Sequence, residues 1–298
     1  MGEPALLACD WGTTNLRAWT LDRAGALVGQ RDFPLGVSKL APGEAEQRFR
    51  AEVRPALGAD RLPAILCGMI GSNIGWRAVP YADCPAGLSD LARNLTVVAD
   101  EVRIVPGLRC EGLAGSPDVM RGEETQVLGW LSEHAERRTG RRVVCHPGTH
   151  AKWVLVEDGR IVRFVTAMTG ELFAVLGRHS LLKSDAPADD DEAFDQGLAA
   201  AGEGDALAAR LFTARARVVG GQASPDSTPS YLSGLLIGAE VAAVPRLLGD
   251  APGTVVLLGD AALCDRYRRA LHRAGVGVEV FDGEAAAIAG LFALGAQT

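Results

Sequence analysis

Leu6-Leu7-Ala8-Cys9-Asp10-Trp11-Gly12-Thr13-Thr14-Asn15-Leu16-Arg17-Ala18-Trp19 reads as a strand, a sharp bend of small residues and a second strand, with one acid at the bend. The apolar run that ends at Asp10 has the length of a buried strand. Gly12 lets the backbone come close to a phosphate, and Thr13, Thr14 and Asn15 supply N–H and hydroxyl donors around it. An acid beside such a nest points to a metal-nucleotide, although an ordinary hairpin turn uses the same residue types. A second copy separates the two readings. Val143-Val144-Cys145-His146-Pro147-Gly148-Thr149-His150-Ala151-Lys152-Trp153-Val154-Leu155 repeats the strand, the Gly-Thr bend and the strand. The same offset lays Glu157-Asp158-Gly159 on Leu21-Asp22-Arg23-Ala24-Gly25, so each bend is followed by a strand, an Asp/Gly turn and a third strand.

A duplicated β-turn-β-turn-β unit with a phosphate-type bend in each copy resembles the actin, hexokinase and Hsp70 ATPase superfamily. That resemblance implies an α/β fold of two duplicated actin-like (ribonuclease H-like) ATPase domains, with the nucleotide in a cleft between the bends. The boundary is expected at 117/118, with an N-terminal domain 1–117 carrying the acceptor pocket, a C-terminal nucleotide-binding domain 118–298, and a crossing helix over about 122–138.

The composition agrees. A chain of 298 residues, 48% of them hydrophobic, can build two cores, and a net charge of −7 disfavours nucleic-acid and membrane-surface partners. The six cysteines have neither zinc-site nor redox spacing, and no leader or membrane-length segment stands out, so a reducing cytoplasmic address is expected. His146 and His150 have helical chelate spacing, but Pro147-Gly148 between them forbids the helix.

In chain order, strands are expected at Ala5–Asp10, Asn15–Leu21 and Ala26–Asp32 as an antiparallel meander, then an amphipathic helix over Glu44–Leu57 and a buried strand at Ala64–Cys67. That strand opens into Gly68-Met69-Ile70-Gly71-Ser72-Asn73-Ile74-Gly75-Trp76-Arg77, at the strand end where open α/β sheets hold ligands. A short helix within Asp83–Asn94, a strand at Val102–Val105 and a loop over Leu108–Asp118 lead to the segment Val119–Leu131. Its acids Glu123 and Glu124 either compensate a helix dipole or, lying in the crossing between repeats, supply a general base. Beyond the second hairpin, Thr169-Gly170-Glu171 is expected to cap a helix over Leu172–Leu182. Asp189-Asp190-Asp191 reads as a solvated acidic turn rather than a cation site, and helices follow over Glu192–Ala201 and Gly204–Val219. Ser230–Leu248 is an apolar helix on which Ser233, Gly234 and Gly238 can admit another helix or a flat ligand. The end alternates strand and helix in a parallel pattern, Thr254–Leu258, Ala261–Ala274, Gly277–Phe281 and Glu284–Leu294. Gly259 and Asp260 lie at a strand end and a helix start, a place for adenosine or ribose. Walker and Gly-x-Gly-x-x-Gly patterns are absent, which disfavours P-loop kinases and Rossmann dehydrogenases.

The strings from Asp10 to Arg17, Cys67 to Ser72, Val105 to Gly107, Asp118 to Gln126, Pro147 to Val154 and Ser233 to Glu240 together resemble the 2-dehydro-3-deoxygalactonokinase family, nearly end to end. His146 departs from the apolar residue expected before Pro-Gly-Thr-His. The resemblance implies phosphorylation of the C6 hydroxyl of 2-dehydro-3-deoxy-D-galactonate by Mg²⁺-ATP in galactonate and galactose breakdown. The partner is then a small-molecule sugar acid, and a homodimer is the candidate assembly. Asp10 would hold Mg²⁺. Gly12, Thr13, Thr14, Asn15, Gly148, Thr149, His150, Lys152, Gly234, Gly259 and Asp260 would bind the nucleotide. Glu124, then Asp118, with Glu123 beside them, are the candidates for the base. Lys152 or Arg17 would meet the transferring group, and Arg17, Gly71, Ser72, Trp76, Arg77 and Arg121 would face the acceptor. Its carboxylate requires a cation, for which Arg77, Arg109 and Arg121 remain open. The competing readings are a kinase for another sugar acid such as the gluco epimer, a hydrolase using water as acceptor, and a non-catalytic sugar-acid sensor. The polar loop at Gly68–Arg77 argues against the hydrolase, and the presence of Asp10 with the crossing acids argues against the sensor.

Overall fold

The computed structural model describes residues 2–202, 205–249 and 252–297. The chain divides into two compact units, the first comprising Met1–Arg141, Val156–Arg163 and Gly283–Thr298, the second Arg142–Leu155 and Phe164–Asp282.

In the first unit, strands β1 (Leu6–Trp11), β2 (Leu16–Leu21) and β3 (Leu27–Phe33) form the antiparallel meander that the opening stretch predicts. The expected helix follows as α1 (Glu44–Arg48), a π turn at Phe49–Val53 and α2 (Arg54–Ala56). Its Phe49 lies between Trp11 and Trp76, with ring centroids 6.2 and 5.6 Å away. Strand β4 (Ala64–Cys67) returns parallel to β1. After β5 (Ala82–Asp83), α3 (Leu88–Arg93) and β6 (Thr96–Ala99), strand β7 (Val102–Ile104) pairs parallel with β4. The sheet order is β3-β2-β1-β4-β7-β6. Strands β8 (Leu108–Glu111) and β9 (Pro117–Met120) join β5 in a separate three-stranded sheet. That sheet corrects the loop expected over Leu108–Asp118; its strands are too short to reveal their alternation between the flanking Gly and Pro residues. Helix α4 (Glu123–Glu133) and a 3₁₀ turn at Ala135–Arg138 then fill the span expected to be one crossing helix.

The second half of the chain repeats the plan, most of it in the second unit. Strands β10 (Arg141–His146), β11 (Ala151–Glu157) and β12 (Arg160–Ala167) are followed by helices α5 (Thr169–His179), α6 (Asp191–Ala200), α7 (Leu207–Val219) and α8 (Thr228–Leu247). Strand β13 (Thr254–Gly259), helix α9 (Ala261–Arg273) and strand β14 (Gly277–Asp282) complete it. The order β12-β11-β10-β13-β14, with β10, β13 and β14 parallel, repeats that of β3-β2-β1-β4-β7. Two local expectations change, at the α5 cap and at the start of α7. Met168 rather than Thr169 occupies the α5 N-cap position, and Thr169 is buried as the first helical residue. The acidic run is largely solvent-exposed as expected, and it is also partnered: Asp190 caps α6, Asp189 pairs with Arg266 and Asp191 with Arg269. The helix expected from Gly204 begins at Leu207, and Gly204 itself lies outside the described residues.

The last helix, α10 (Gly283–Gly295), groups with the first unit instead of ending the second. The contact division thus falls after Arg141 rather than after Pro117, because α4 and α10 press together backbone to backbone. A β-carbon on Gly129 would lie 2.0 Å from the Ala286 carbonyl oxygen, and one on Gly290 would lie 2.1 Å from that of Thr125. Gly290→Ala is therefore expected to destabilise the protein by about 1–3 kcal/mol despite alanine's better helix propensity. Gly177→Ala, where nothing lies within 4 Å, should instead stabilise it by about 0.5–1 kcal/mol. Equilibrium urea unfolding of the two variants distinguishes these signs.

Candidate active site

In the first unit the parallel strands β1 and β4 end side by side, placing Asp10 next to Cys67. Asp10 Oδ2 accepts from Arg17 Nη2 at 2.7 Å, its direct cross-strand partner on β2. Beyond it, Thr13, Thr14 and Asn15 are exposed in the bend, closed by the Gly12 N–H donating to the Asn15 carbonyl at 2.9 Å. The bend is braced from behind. Gly36 N–H donates to the Thr14 carbonyl, Ser38 N–H and hydroxyl donate to that of Thr13, and a β-carbon on Gly36 would fall 2.1 Å from the Thr14 carbonyl carbon. Asp10, Gly12, Thr14, Asn15 and Arg17 line an open cavity of about 600 Å³ with Asp32, Phe33 and Pro34. The sequence reading missed Gly36, whose role arises only from the chain's return.

Gly68 must be glycine on two counts. Its φ is +89°, and a β-carbon would meet the Trp11 carbonyl oxygen at 2.9 Å and Asp10 Oδ1 at 3.1 Å. The start of the crossing segment touches the same turn, since a β-carbon on Gly122 would lie 3.3 Å from Gly68 Cα. Glu124 is fully buried there: the Gly122 N–H donates to one carboxyl oxygen at 2.7 Å and the Thr125 hydroxyl to the other at 3.0 Å. Burial, and then the charge of Glu123, push its carboxyl up to about 8. The first-ranked base is thus closed off from any acceptor hydroxyl as placed. Glu123 is half-exposed and accepts from the Arg121 N–H, while Asp118, half-buried on β9, accepts from the Val119 N–H.

The arginine candidates separate cleanly. Arg77 is exposed and donates to the Val97 carbonyl, and Arg109 is paired with Asp83. Trp76 belongs to the core against Phe49. Both residues follow the 3₁₀ turn at Met69–Gly71, and the Trp76 N–H donates to the Ile70 carbonyl of that turn. Ser72 closes that turn through its N–H to the Met69 carbonyl. Arg121 stacks 4.3 Å over the Tyr81 ring, donates through Nη2 to the Val79 carbonyl and leaves Nε and Nη1 buried and without a hydrogen-bond partner. Its Nη1 lies over Gly71, where a β-carbon would come within 2.8 Å. Tyr81 carried no signal in the sequence.

In the second unit the bend between β10 and β11 leaves Thr149 and His150 exposed and open space around Gly148. It too is braced by a glycine: a β-carbon on Gly170 would lie 2.5 Å from the Gly148 carbonyl oxygen, and the Glu171 N–H donates to the Thr149 carbonyl at 2.9 Å. The His150 ring pairs with Glu171. Gly259 at the end of β13 lies beside Pro147, and the exposed Asp260 caps α9 by accepting from the Leu263 N–H. Two expected nucleotide contacts are corrected. Lys152 is buried and donates to the Thr166 hydroxyl on the neighbouring strand. Gly234 is filled by helix packing, since a β-carbon would lie 2.1 Å from the Phe194 carbonyl oxygen of α6.

Two copies of one sheet order, each with an exposed small-residue bend at the end of its first strand, define a duplicated actin-like α/β fold. The chain matches the model of the 2-keto-3-deoxy-galactonokinase family over residues 10–294, and it belongs to that family. It is 36% identical over 287 residues to the 2-dehydro-3-deoxygalactonokinase of Escherichia coli (strain K12), covering 96% of this chain and 95% of the relative. A crystal structure provisionally named a 2-dehydro-3-deoxygalactonokinase protein from Sinorhizobium meliloti is 36% identical, with a TM-score of 0.85 and 97% of each chain covered. The ADPNP-bound activator of the 2-hydroxyisocaproyl-CoA dehydratase from Clostridium difficile, 12% identical with a TM-score of 0.50 over 98% of this chain and 95% of that one, shares the fold alone. Among the described residues no helix is long and apolar enough to cross a membrane.

The raised carboxyl of Glu124 has a consequence for stability. A carboxyl that titrates near 4.3 when unfolded and near 8 when folded stabilises the native state below the lower value, and that contribution is lost as pH rises through the upper one. The stability of wild type relative to Glu124→Gln is expected to fall between about pH 5 and pH 8 and to level off above, as read by urea unfolding at a series of pH values.

Proposed function

We propose that this kinase transfers the γ-phosphoryl group of ATP to the C6 hydroxyl of 2-dehydro-3-deoxy-D-galactonate, giving the 6-phosphate in galactonate and galactose catabolism. The observation that carries the site assignment is the Asp10 carboxylate beside the exposed, braced bend Gly12–Asn15. Phosphoryl transfer asks the protein mainly to position two substrates and to neutralise spreading charge.

Asp10, a hard oxygen donor lining the open cavity, would hold Mg²⁺ there. When bound, the ion supplies charge neutralisation across the transferring phosphate. Gly12, Thr13, Thr14 and Asn15, and in the second unit Gly148, Thr149 and His150, offer donors to phosphate oxygens. Gly259 and Asp260 serve the ribose end. Arg17, held by Asp10 on the cavity wall, replaces the buried Lys152 as the cation for the transferring group. Glu123 takes the role of base because it is the half-exposed acid of the Arg121–Glu124 turn, and Glu124 positions that turn from inside. Arg121 receives the acceptor carboxylate. Two unsatisfied guanidinium nitrogens are costly unless a ligand pairs with them. The six free thiols suit a cytoplasmic address.

A coupled ADP-release assay across 2-dehydro-3-deoxy-galactonate, its gluco epimer, galactonate and hexoses tests the assignment. The galacto keto-deoxy acid is expected to lead, with the gluco epimer lower by about ten- to a hundredfold. Preference for a hexose or a plain aldonate overturns it. In the same assay Asp10→Asn should lower kcat by about a hundredfold or more with ATP binding retained, and activity within about tenfold of wild type would remove Asp10 from the mechanism. Arg121→Ala should raise the KM for the sugar acid by about ten- to a hundredfold while leaving that for ATP near wild type.

A further inference from the structure

Glu240, on the buried face of α8, is 5% exposed and lies among side chains from three other elements of the second unit. Trp153 Nε1 of β11 donates to its Oε1 at 2.6 Å, and the Tyr267 hydroxyl of α9 donates to its Oε2 at 2.8 Å. The Thr169 side chain, at the start of α5, is also hydrogen-bonded to it. An isolated charge would be expensive here, and the three donors offset part of that cost. Removing it would leave three buried polar groups without their shared acceptor.

The three donors stand directly behind the second bend. Thr169 precedes Gly170, whose backbone is packed on Gly148 and Thr149, and the next residue, Glu171, donates its N–H to the Thr149 carbonyl. Trp153 lies on the strand leaving the bend. Tyr267 anchors α9, whose N-cap is Asp260, beside the Gly259 that neighbours Pro147. One carboxylate therefore fixes the start of α5, the strand after the bend and the helix whose cap begins at Gly259. Among the described residues no substrate-facing surface comes from Glu240 itself, so any influence on binding passes through these partners.

We infer that Glu240 is a positioning residue for the nucleotide, holding the Gly148–Thr149 bend and the Gly259–Asp260 turn in register through Thr169, Trp153 and Tyr267. The inference rests on the reading of this bend as a phosphate contact. Donors aimed at a phosphate act fully only when they are fixed beforehand, so loosening their support weakens nucleotide binding before it touches the acceptor.

The test compares Glu240→Gln, Thr169→Ala, Tyr267→Phe and Thr149→Ala by calorimetric binding of a non-hydrolysable ATP analogue with Mg²⁺, by the KM for the sugar acid and by melting temperature. Thr149→Ala reports on the bend itself. Glu240→Gln and Thr169→Ala are expected to weaken analogue binding by about five- to fiftyfold with the sugar-acid KM within about twofold of wild type. Tyr267→Phe should show a smaller change of the same kind. Should Glu240→Gln fail to fold, Thr169→Ala and Tyr267→Phe, each deleting one donor and leaving two, carry the comparison. Analogue binding that stays at the wild-type level in the folded network variants while Thr149→Ala weakens it overturns the inference and spares the bend. Equal losses for both substrates in proportion to a lowered melting temperature also overturn it. An unchanged affinity in Thr149→Ala removes the bend from the nucleotide site, and the positioning role falls with it.

Discussion

Each small-residue bend is held from behind by a stretch of backbone that comes too close for any side chain. Gly36 braces Thr13 and Thr14, and Gly170 braces Gly148 and Thr149. The constraint is steric, yet its product is electrostatic. Hydrogen-bond donors serve a developing charge best when they are already aimed, and the bracing backbone limits how far each bend can move. The same device recurs at Gly68 against Trp11, at Gly129 against α10, and where Gly197 and Gly234 seat α6 on α8. In this protein glycine is the means by which separate segments acquire fixed mutual distances.

Two buried carboxylates show how differently the fold treats charge. Glu124 draws its donors from its own turn, the Gly122 N–H and the Thr125 hydroxyl, and burial still lifts it to about 8. Glu240 draws Trp153, Tyr267 and Thr169 from three elements, and these donors oppose the rise that burial imposes. The first organises one turn locally; the second ties together parts far apart in sequence. Neither carboxyl reaches the surface.

The repeated strand-bend-strand pattern was legible because short, largely apolar runs of six to eight residues, set off by Gly-Thr bends and Asp/Gly turns, carry their own signal. The small sheet of β5, β8 and β9 was not: strands of two to four residues beside Gly and Pro leave no period to detect. The candidate site divides in the same way. Asp10 and the two bends are readable because acid, glycine and hydroxyl residues cluster within a few positions. Tyr81 under Arg121, and Gly36 behind Thr14, are invisible because their meaning is a meeting with residues far along the chain.

By itself, then, the sequence determined the duplicated α/β plan, the two bends, the acid beside the first and the resemblance that led to the kinase family, because each is written in neighbouring residues. Tertiary structure decided which of several equal candidates is available. It sent Arg109 to Asp83 and Arg77 to a backbone carbonyl but left Arg121 with unpaired nitrogens; it closed Glu124 inside and left Glu123 half-exposed; it buried Lys152 and carried α10 back onto α4. Residue type states what a side chain can do, whereas burial and the partner that claims it are set by long-range packing, which no local pattern encodes.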